Sequence, residues 1–300
     1  MIDYLLKFYR RLPIVRELRA IQKSLEELNG LSPSIRRLET AAMIQALATV
    51  KESDPRYQDP QRLLASGAQH WSQNYEDGMI AEIFRRVPTS TKTFLEIGVG
   101  DGSENNTTAL LVDGWRGWWI DGDSGGCASI RQRLRGMRSM ASRLTLHEGF
   151  VSPATIGQLL QELGVPKEID LFSLDIDQDT YHIWAALDDF RPRVVVVEYN
   201  GALPPGLAWI HPYEPGRRWD GTQAFGASLK AFEILGRRLG YSLVGCDLLG
   251  ANAFFVRDDL VGNSFASPFT AENHYEPPRY GLCFRWAHKS SFFGENHSQD

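Results

Sequence analysis

RPRVVVVEYN, residues 191–200, narrows the choice of fold more than any other stretch. Four consecutive valines cannot alternate an apolar and a polar face, so a strand made from them must be covered on both sides. That requires helices above and below a sheet, and the surrounding sequence supplies them. From Trp71 onward, strand-like and helix-like segments alternate. AEIFRRV reads as a helix, TKTFLEIGVG as a strand entering a glycine turn, and NTTALLVDG as a helix closed by glycine. GWWIDGD, RLTLHEGFV and IDLFSLDID read as further strands, separated by the helices SIRQRLRGMRSMAS and ATIGQLLQELGV. TYHIWAALDDF precedes the valine strand. After the helix GASLKAFEILGRRLG come YSLVGCDL and NAFFVRD, joined by a link too short for a parallel crossover, so these two form an antiparallel hairpin. The expectation is an α/β fold: a Rossmann-like doubly wound seven-stranded sheet, mostly parallel, with a C-terminal antiparallel hairpin and preceded by N-terminal helices.

The first fifty residues have a different texture. Ile14, Leu18, Ile21, Leu25 and Leu28 step by four, three, four and three, and Ile35 and Leu38 resume the spacing after Ser32-Pro33. This is the narrow apolar seam of a short coiled coil or helical hairpin, or of a helix packed on its own domain. Self-association through the seam would make a homo-oligomer. LLKFYRRLPIVRELR mixes basic and apolar residues and suits peripheral contact with an anionic membrane surface. Residues 51–70, with two Asp-Pro pairs and little periodicity, read as a linker. The domain organisation expected is therefore 1–50 helical, 51–70 linker and 71–300 α/β domain, with a lid insertion at 201–222 and an extension at 261–300.

Charge and cysteines bound the setting. A net charge of -5 argues against nucleic acid as the bulk partner. Cys127, Cys246 and Cys283 are odd in number and far apart, which reads as reduced thiols in a cytoplasmic protein. No apolar run reaches membrane-spanning length and no secretory leader is evident, so the expected location is the cytoplasm, with the inner membrane face as a peripheral site.

In an open parallel sheet the ligand lies beyond the carboxyl ends of the strands, which makes each strand end a candidate wall of one site. The first is FLEIGVGDGSENNT. Gly98, Gly100 and Gly102 permit close approach of a ligand to the main chain, Glu96 stands beside them, and Asn105 or Thr107 opens the next helix. The spacing is neither G-x-G-x-x-G nor a P-loop. The second is WWIDGD, where Asp121, with Asp123 as competitor, can take both hydroxyls of a ribose. A ligand with a ribose and no pyrophosphate points to S-adenosylmethionine. The third and fourth are LDIDQD (Asp175, Asp177, Asp179) and VVVVEYN (Glu198, Asn200). Asp175, Asp177, Glu198 and Asn200 are hard oxygen donors suited to Mg²⁺ or Mn²⁺, which would lower the pKa of a substrate hydroxyl. The alternatives are that the aspartates meet the cofactor amine and helix-start amides, or that Glu198 and Asn200 bind substrate.

Taken together, SQNYEDGMIAEIF, FLEIGVGDGSENNT, WWIDGD, DLFSLDIDQDTYHIW, RPRVVVVEYN and FGASLKAFEILGRRLGYSLVGCDLLGANAFFV resemble the FkbM-type group of class I S-adenosylmethionine-dependent methyltransferases, associated with polysaccharide biosynthesis. The resemblance runs from about Ser72 to Arg257. Gln178 stands where such sequences often carry glycine. The resemblance implies a sugar or polyketide hydroxyl as methyl acceptor. Two segments are candidates for the acceptor side: the long stretch GALPPGLAWIHPYEPGRRWDGTQ with Trp209, His211, Tyr213 and Trp219, and the tail SPFTAENHYEPPRYG with Glu272, His274 and Tyr275. Removing the hydroxyl proton needs a base, and His274, His211 and His182 compete for that role, with Asp175 as a further catalytic candidate. A non-catalytic scaffold in a glycan-assembly complex is the reading from a different class. A nucleotide-sugar oxidoreductase ranks below it for want of the dinucleotide fingerprint.

Overall fold

The computed structural model describes residues 38–282 except 217, 218 and 220. Those residues fall into two units, a helix over 38–53 (α1) and a domain beginning at Asp54. The seam residues Ile14 to Ile35, the basic first helix and Cys283 lie outside the described residues. In α1 itself Leu38 and Ile44 are exposed.

The domain is a seven-stranded sheet with helices on both faces. Its strands are β1 (Thr93–Ile97), β2 (Arg116–Asp121), β3 (Leu144–Glu148), β4 (Leu171–Leu174), β5 (Val194–Glu198), β6 (Tyr241–Cys246) and β7 (Asn252–Arg257). They lie in the order β3-β2-β1-β4-β5-β7-β6. The first five are parallel, and β7 runs antiparallel to both β5 and β6. The expected sheet and its closing hairpin are both present. Val194, Val195, Val196 and Val197 are all fully buried, as a strand covered on both faces requires.

The helices follow from local chemistry. α2 (Glu76–Arg86) starts five residues before the AEIFRRV stretch, because two acids organise the loop ahead of it. Asp77 Oδ2 accepts from the amides of His70, Trp71 and Ser72 at 2.7, 2.7 and 2.9 Å, while Ser72 Oγ accepts from the Asp77 amide at 3.0 Å. Glu76 takes the Asn74 amide and the Asn252 side chain, tying this helix to β7. The basic stretch read as one helix is two, α4 (Ser124–Leu134) and α5 (Arg138–Ala141), after the short α3 (Thr108–Val112). Gly136 sits at the break, where its backbone freedom disfavours a continuous helix. α6 (Ile156–Glu162) and α7 (Thr180–Ala185) complete the crossovers. α8 (Leu229–Leu239) is capped by Ser228, which accepts from the Ala231 amide, and ends on left-handed Gly240. It buries Leu229, Phe232 and Leu235 against the sheet. Two short helices, α9 (Asp258–Val261) and α10 (Ala271–His274), follow β7.

The stretch from Asp54, read as part of a linker, is instead bolted to the domain. Leu63 and Leu64 are buried, and Leu63 fills the space over Gly245 of β6. Arg56 pairs with the buried carboxylate of Glu276, which also accepts from Tyr57 Oη at 2.9 Å and Arg279 Nη1 at 2.8 Å. Arg62 donates to the carbonyl and side-chain oxygens of Asn273 at 2.9 and 2.6 Å. The Asp-Pro pairs that suggested a linker open a 3₁₀ turn in one case, with Asp54 accepting from the Arg56 amide and Pro55 at its start.

Candidate functional site

The order β3-β2-β1-β4-β5 reverses direction between β1 and β4, and a cleft of about 860 Å³ opens there at the carboxyl ends of the strands. The turns after β1, β2, β3 and β4 all contribute to its walls, and Trp219 reaches in from the β5–α8 connection.

The glycine turn is held from behind. Gly98 has φ 88° and lies so close to the main chain of β4 that a Cβ would fall 1.6 Å from the Asp175 carbonyl oxygen. Only glycine lets β1 and β4 close at this point. Gly100 has φ 54° with open space beside it, so its requirement is conformational and its free face belongs to the cleft.

Glu96 corrects a sequence expectation. It is buried and does not line the cleft. Its carboxylate accepts from Asn105 Nδ2 (3.0 Å), the Asn106 amide (2.8 Å), the Thr107 amide (3.1 Å), Thr107 Oγ1 (2.5 Å) and Ser173 Oγ (3.3 Å). Burial pushes the carboxyl up, and the bonds from Thr107, Asn106 and Asn105 pull it back. Glu96 therefore shapes the loop, whereas the residue expected to touch the ligand was this one. Asn105 is consumed by the same clamp, and Gly102 packs against Ile130 and Trp119 rather than facing the cleft. Glu96→Ala leaves these donors without an acceptor and is expected to cost about 3 kcal/mol of stability. Thermal denaturation should show a fall of roughly 10 °C in Tm.

Asp121 stands where the second strand end predicted. Its Oδ2 accepts from the Gly100 amide at 2.6 Å and its Oδ1 from the Asp123 amide at 2.7 Å, so it joins the β1 and β2 turns while lining the cleft. Each oxygen keeps a lone pair for a ligand hydroxyl. Asp123 also borders the cleft, but its side chain caps α4 by accepting from the Gly125 and Gly126 amides, which leaves Asp121 the ribose candidate. Phe150, just after β3, is 73% exposed and forms the adjacent wall against Gly122. Sequence reasoning missed it, although the rule that every strand end is a wall would have pointed to β3.

The proposed metal set does not assemble. Asn200 Nδ2 donates to the carbonyls of Gln223 (2.7 Å) and Phe225 (3.0 Å), and its Oδ1 accepts from the Ala202 amide (3.2 Å). It braces the long connection and is not a ligand. Among the described residues, no group of three or more His, Cys, Asp or Glu is placed to hold a metal ion. Asp177, Asp175 and Glu198 thus do not form the expected cage. Asp175 and Glu198 are instead a carboxyl pair. Burial, and then the charges of Asp177, Glu76 and Glu96, raise Asp175 to about 7, against the opposing hydrogen bond with Glu198. Burial and the Asp175 charge push Glu198 well up. Both carboxyls of the pair are thus held above the usual range, and Asp175 exchanges its proton near neutrality. Asp175 lines the cleft, and the following Asp177 holds a left-handed φ of 57°, uncommon outside glycine and found where the fold imposes it.

The histidines are placed elsewhere. His274 is buried on α10 beside Arg62 and Arg56, and burial lowers it to about 4. It does not line the cleft, and so lowered its ring is a weak proton acceptor, so it is not the base. Glu272 pairs with Lys230 and Tyr275 Oη donates to the Gly201 carbonyl at 2.6 Å, so the tail cluster is spent on packing. His211 is also buried, with Nδ1 against the Pro212 carbonyl at 2.9 Å, and its own carbonyl meets His182 Nε2 at 2.8 Å. Both anchor the β5–α8 connection. Of the four aromatic or histidine residues singled out there, Trp219 alone lines the cleft.

No family model matches the chain, and no curated protein does. Solved structures with some likeness include the glycopeptide N-methyltransferase MtfA complexed with S-adenosyl-L-methionine, at 16% identity and TM-score 0.36, covering 65% of this chain and 95% of that one. Another is the magnesium protoporphyrin IX methyltransferase ChlM from Synechocystis PCC 6803 with bound SAM, at 12% identity and TM-score 0.40, covering 61% and 77%. A third is the methyltransferase domain of bacterial CtHen1-C, at 15% identity and TM-score 0.39, covering 62% and 97%. These likenesses are too distant to assign an activity.

Proposed function

We propose that the protein is an S-adenosylmethionine-dependent O-methyltransferase whose acceptor is a hydroxyl of a sugar or glycan precursor. The observation that carries this reading is the cleft at the β1/β4 switch point, with Asp121 at the second strand end and a bare glycine turn that has no phosphate signature. The lining fits the cofactor: lone pairs on Asp121 for the ribose, Phe150 as an aromatic wall for the base, and an open face at Gly100. When bound, the cofactor supplies an electrophilic methyl on sulfonium; the acceptor oxygen gains the methyl and gives up its proton, and S-adenosylhomocysteine leaves with the sulfur's electron pair restored.

The chain's own task is to orient the acceptor and take that proton. Asp175 is the group for it, because it borders the cleft and is tuned to exchange a proton near neutral pH with Glu198 behind it. The test is calorimetry with S-adenosylhomocysteine followed by radiolabelled methyl transfer to glycan and nucleotide-sugar pools. Binding in the micromolar range and label in a carbohydrate product are expected, micromolar being about -8 kcal/mol. Absence of binding would overturn the cofactor assignment, and binding without transfer to any pool would favour the scaffold reading. Self-association and membrane contact through the N-terminal segment 1–50 remain parts of this proposal, tested by sedimentation of the full chain alone and with anionic vesicles. Among the described residues no helix is long and apolar enough to cross a membrane.

A further inference from the structure

We infer that Gln178 is the donor that recognises the acceptor, and that the subsite around it is built for an uncharged ring bearing adjacent hydroxyls. The inference rests on the methyltransferase reading above and adds the substrate class and the residue that selects it.

Gln178 is 4% exposed and lines the cleft, yet its Nε2 has no hydrogen-bond partner among the described residues. A buried amide donor left open is costly, and folded proteins pair such groups with protein, water or ligand. The turn that places it there is itself unusual, since the preceding Asp177 is held in the left-handed region. Every other polar side chain of this turn at the cleft wall has the opposite character. Asp175, Asp177 and Asp179 accept hydrogen bonds and, when ionised, donate none.

That combination discriminates between ligand classes. An ammonium group would satisfy the three carboxyl groups and leave Gln178 Nε2 unpaired. A carboxylate or phosphate would satisfy Nε2 and meet like charge from Asp175, Asp177 and Asp179. The same repulsion disfavours the cofactor's own carboxylate as the partner of Gln178. A group that both donates and accepts, as two neighbouring hydroxyls do, answers all four side chains. The apolar part of the ring has a platform in Trp219, which is 48% exposed and borders the same cleft. Its ring is fixed by Nε1 donating to the Thr222 carbonyl at 2.6 Å and by the edge of Phe225, 5.9 Å between centroids. A flat, held indole with a free face suits the C–H face of a pyranose.

The experiment measures radiolabelled methyl transfer to matched neutral hexoses, hexosamines and uronates, free and as methyl glycosides, alongside S-adenosylhomocysteine calorimetry. Wild type is expected to prefer the neutral hexoses. Gln178→Leu should raise KM for them by about tenfold or more, the scale of one lost buried hydrogen bond, with cofactor affinity within about twofold. Gln178→Glu, which exchanges the donor for a fourth carboxylate, should move the preference towards hexosamines. Preference of the wild type for a charged class, no transfer to any neutral hexose, or an unchanged KM in both variants would overturn the inference. So would a parallel tenfold loss of cofactor affinity, which would make Gln178 a cofactor contact. Failure of the wild type to bind S-adenosylhomocysteine is a separate result, and it removes the methyltransferase reading itself.

Discussion

Asp175→Asn is expected to slow methyl transfer by about a thousandfold while leaving S-adenosylhomocysteine affinity within a few fold, the range for loss of a positioned base. Asparagine keeps the size of the side chain and cannot take a proton. The wild-type pH profile carries the sharper signature. Asp175 works as a base only when ionised, and its carboxyl is raised to about 7 by burial first and then by the Asp177 charge. Activity should therefore rise with pH up to about 7 and level off above it. Falling pH switches the base off. Glu198→Leu removes the hydrogen bond from β5 that opposes the upward shift of Asp175, leaving the charges of Asp177, Glu76 and Glu96 around it, and should move the rising limb to higher pH. A flat profile through neutrality in the wild type, or an Asp175→Asn variant with near-normal turnover, would show that the proton leaves by another route.

The second large effect is on binding. Asp121→Ala is expected to weaken S-adenosylhomocysteine by several hundredfold, since two charge-assisted hydrogen bonds to a ribose are worth about 1.5–3 kcal/mol each before partial compensation by water. The same change frees the Gly100 and Asp123 amides from their shared acceptor, so the β1 turn loses its clamp as well. Calorimetry separates the two contributions through Asp121→Asn, which keeps one acceptor oxygen and should fall between the extremes. Retention of wild-type affinity in the alanine variant would remove Asp121 from the cofactor site.

The sheet was legible in the sequence because its signals are local and repeated. VVVVE, TFLEI and WWID each declare a covered strand, and the short link between YSLVGCDL and NAFFVRD dictates a hairpin. The site was legible at the level of strand ends and misread at the level of single side chains. Glu96 and Asp121 are both acids at the ends of neighbouring strands, and nothing in their sequence context says that one turns inward to hold five donors while the other stays at the surface. That difference is made by Asn105, Asn106, Thr107 and Ser173 converging in space. His274 and Asn200 looked like chemistry because of residue type, but a buried neighbour or a carbonyl had already claimed them. Gln178 was noticed only as a departure from glycine. Its role emerges from an absent partner, and an absent partner has no sequence signal.

The anchoring of the Asp54–Ser66 stretch has a consequence for the order of events during synthesis. Arg56 reaches the Tyr275 carbonyl across 219 positions of chain, and Tyr57 meets Glu276 across the same interval. As the chain leaves the ribosome, the first part of the domain to emerge must wait for almost the last part before its own contacts exist. The parallel strands can assemble earlier, each on a strand already made, but Leu63 has no β6 to cover and Arg56 no acid to meet until translation of the domain is nearly finished. The seal that finishes the far edge of the sheet is thus a late event, and a chain released short of Glu276 carries an otherwise ordered ligand cleft on a scaffold that has not yet closed.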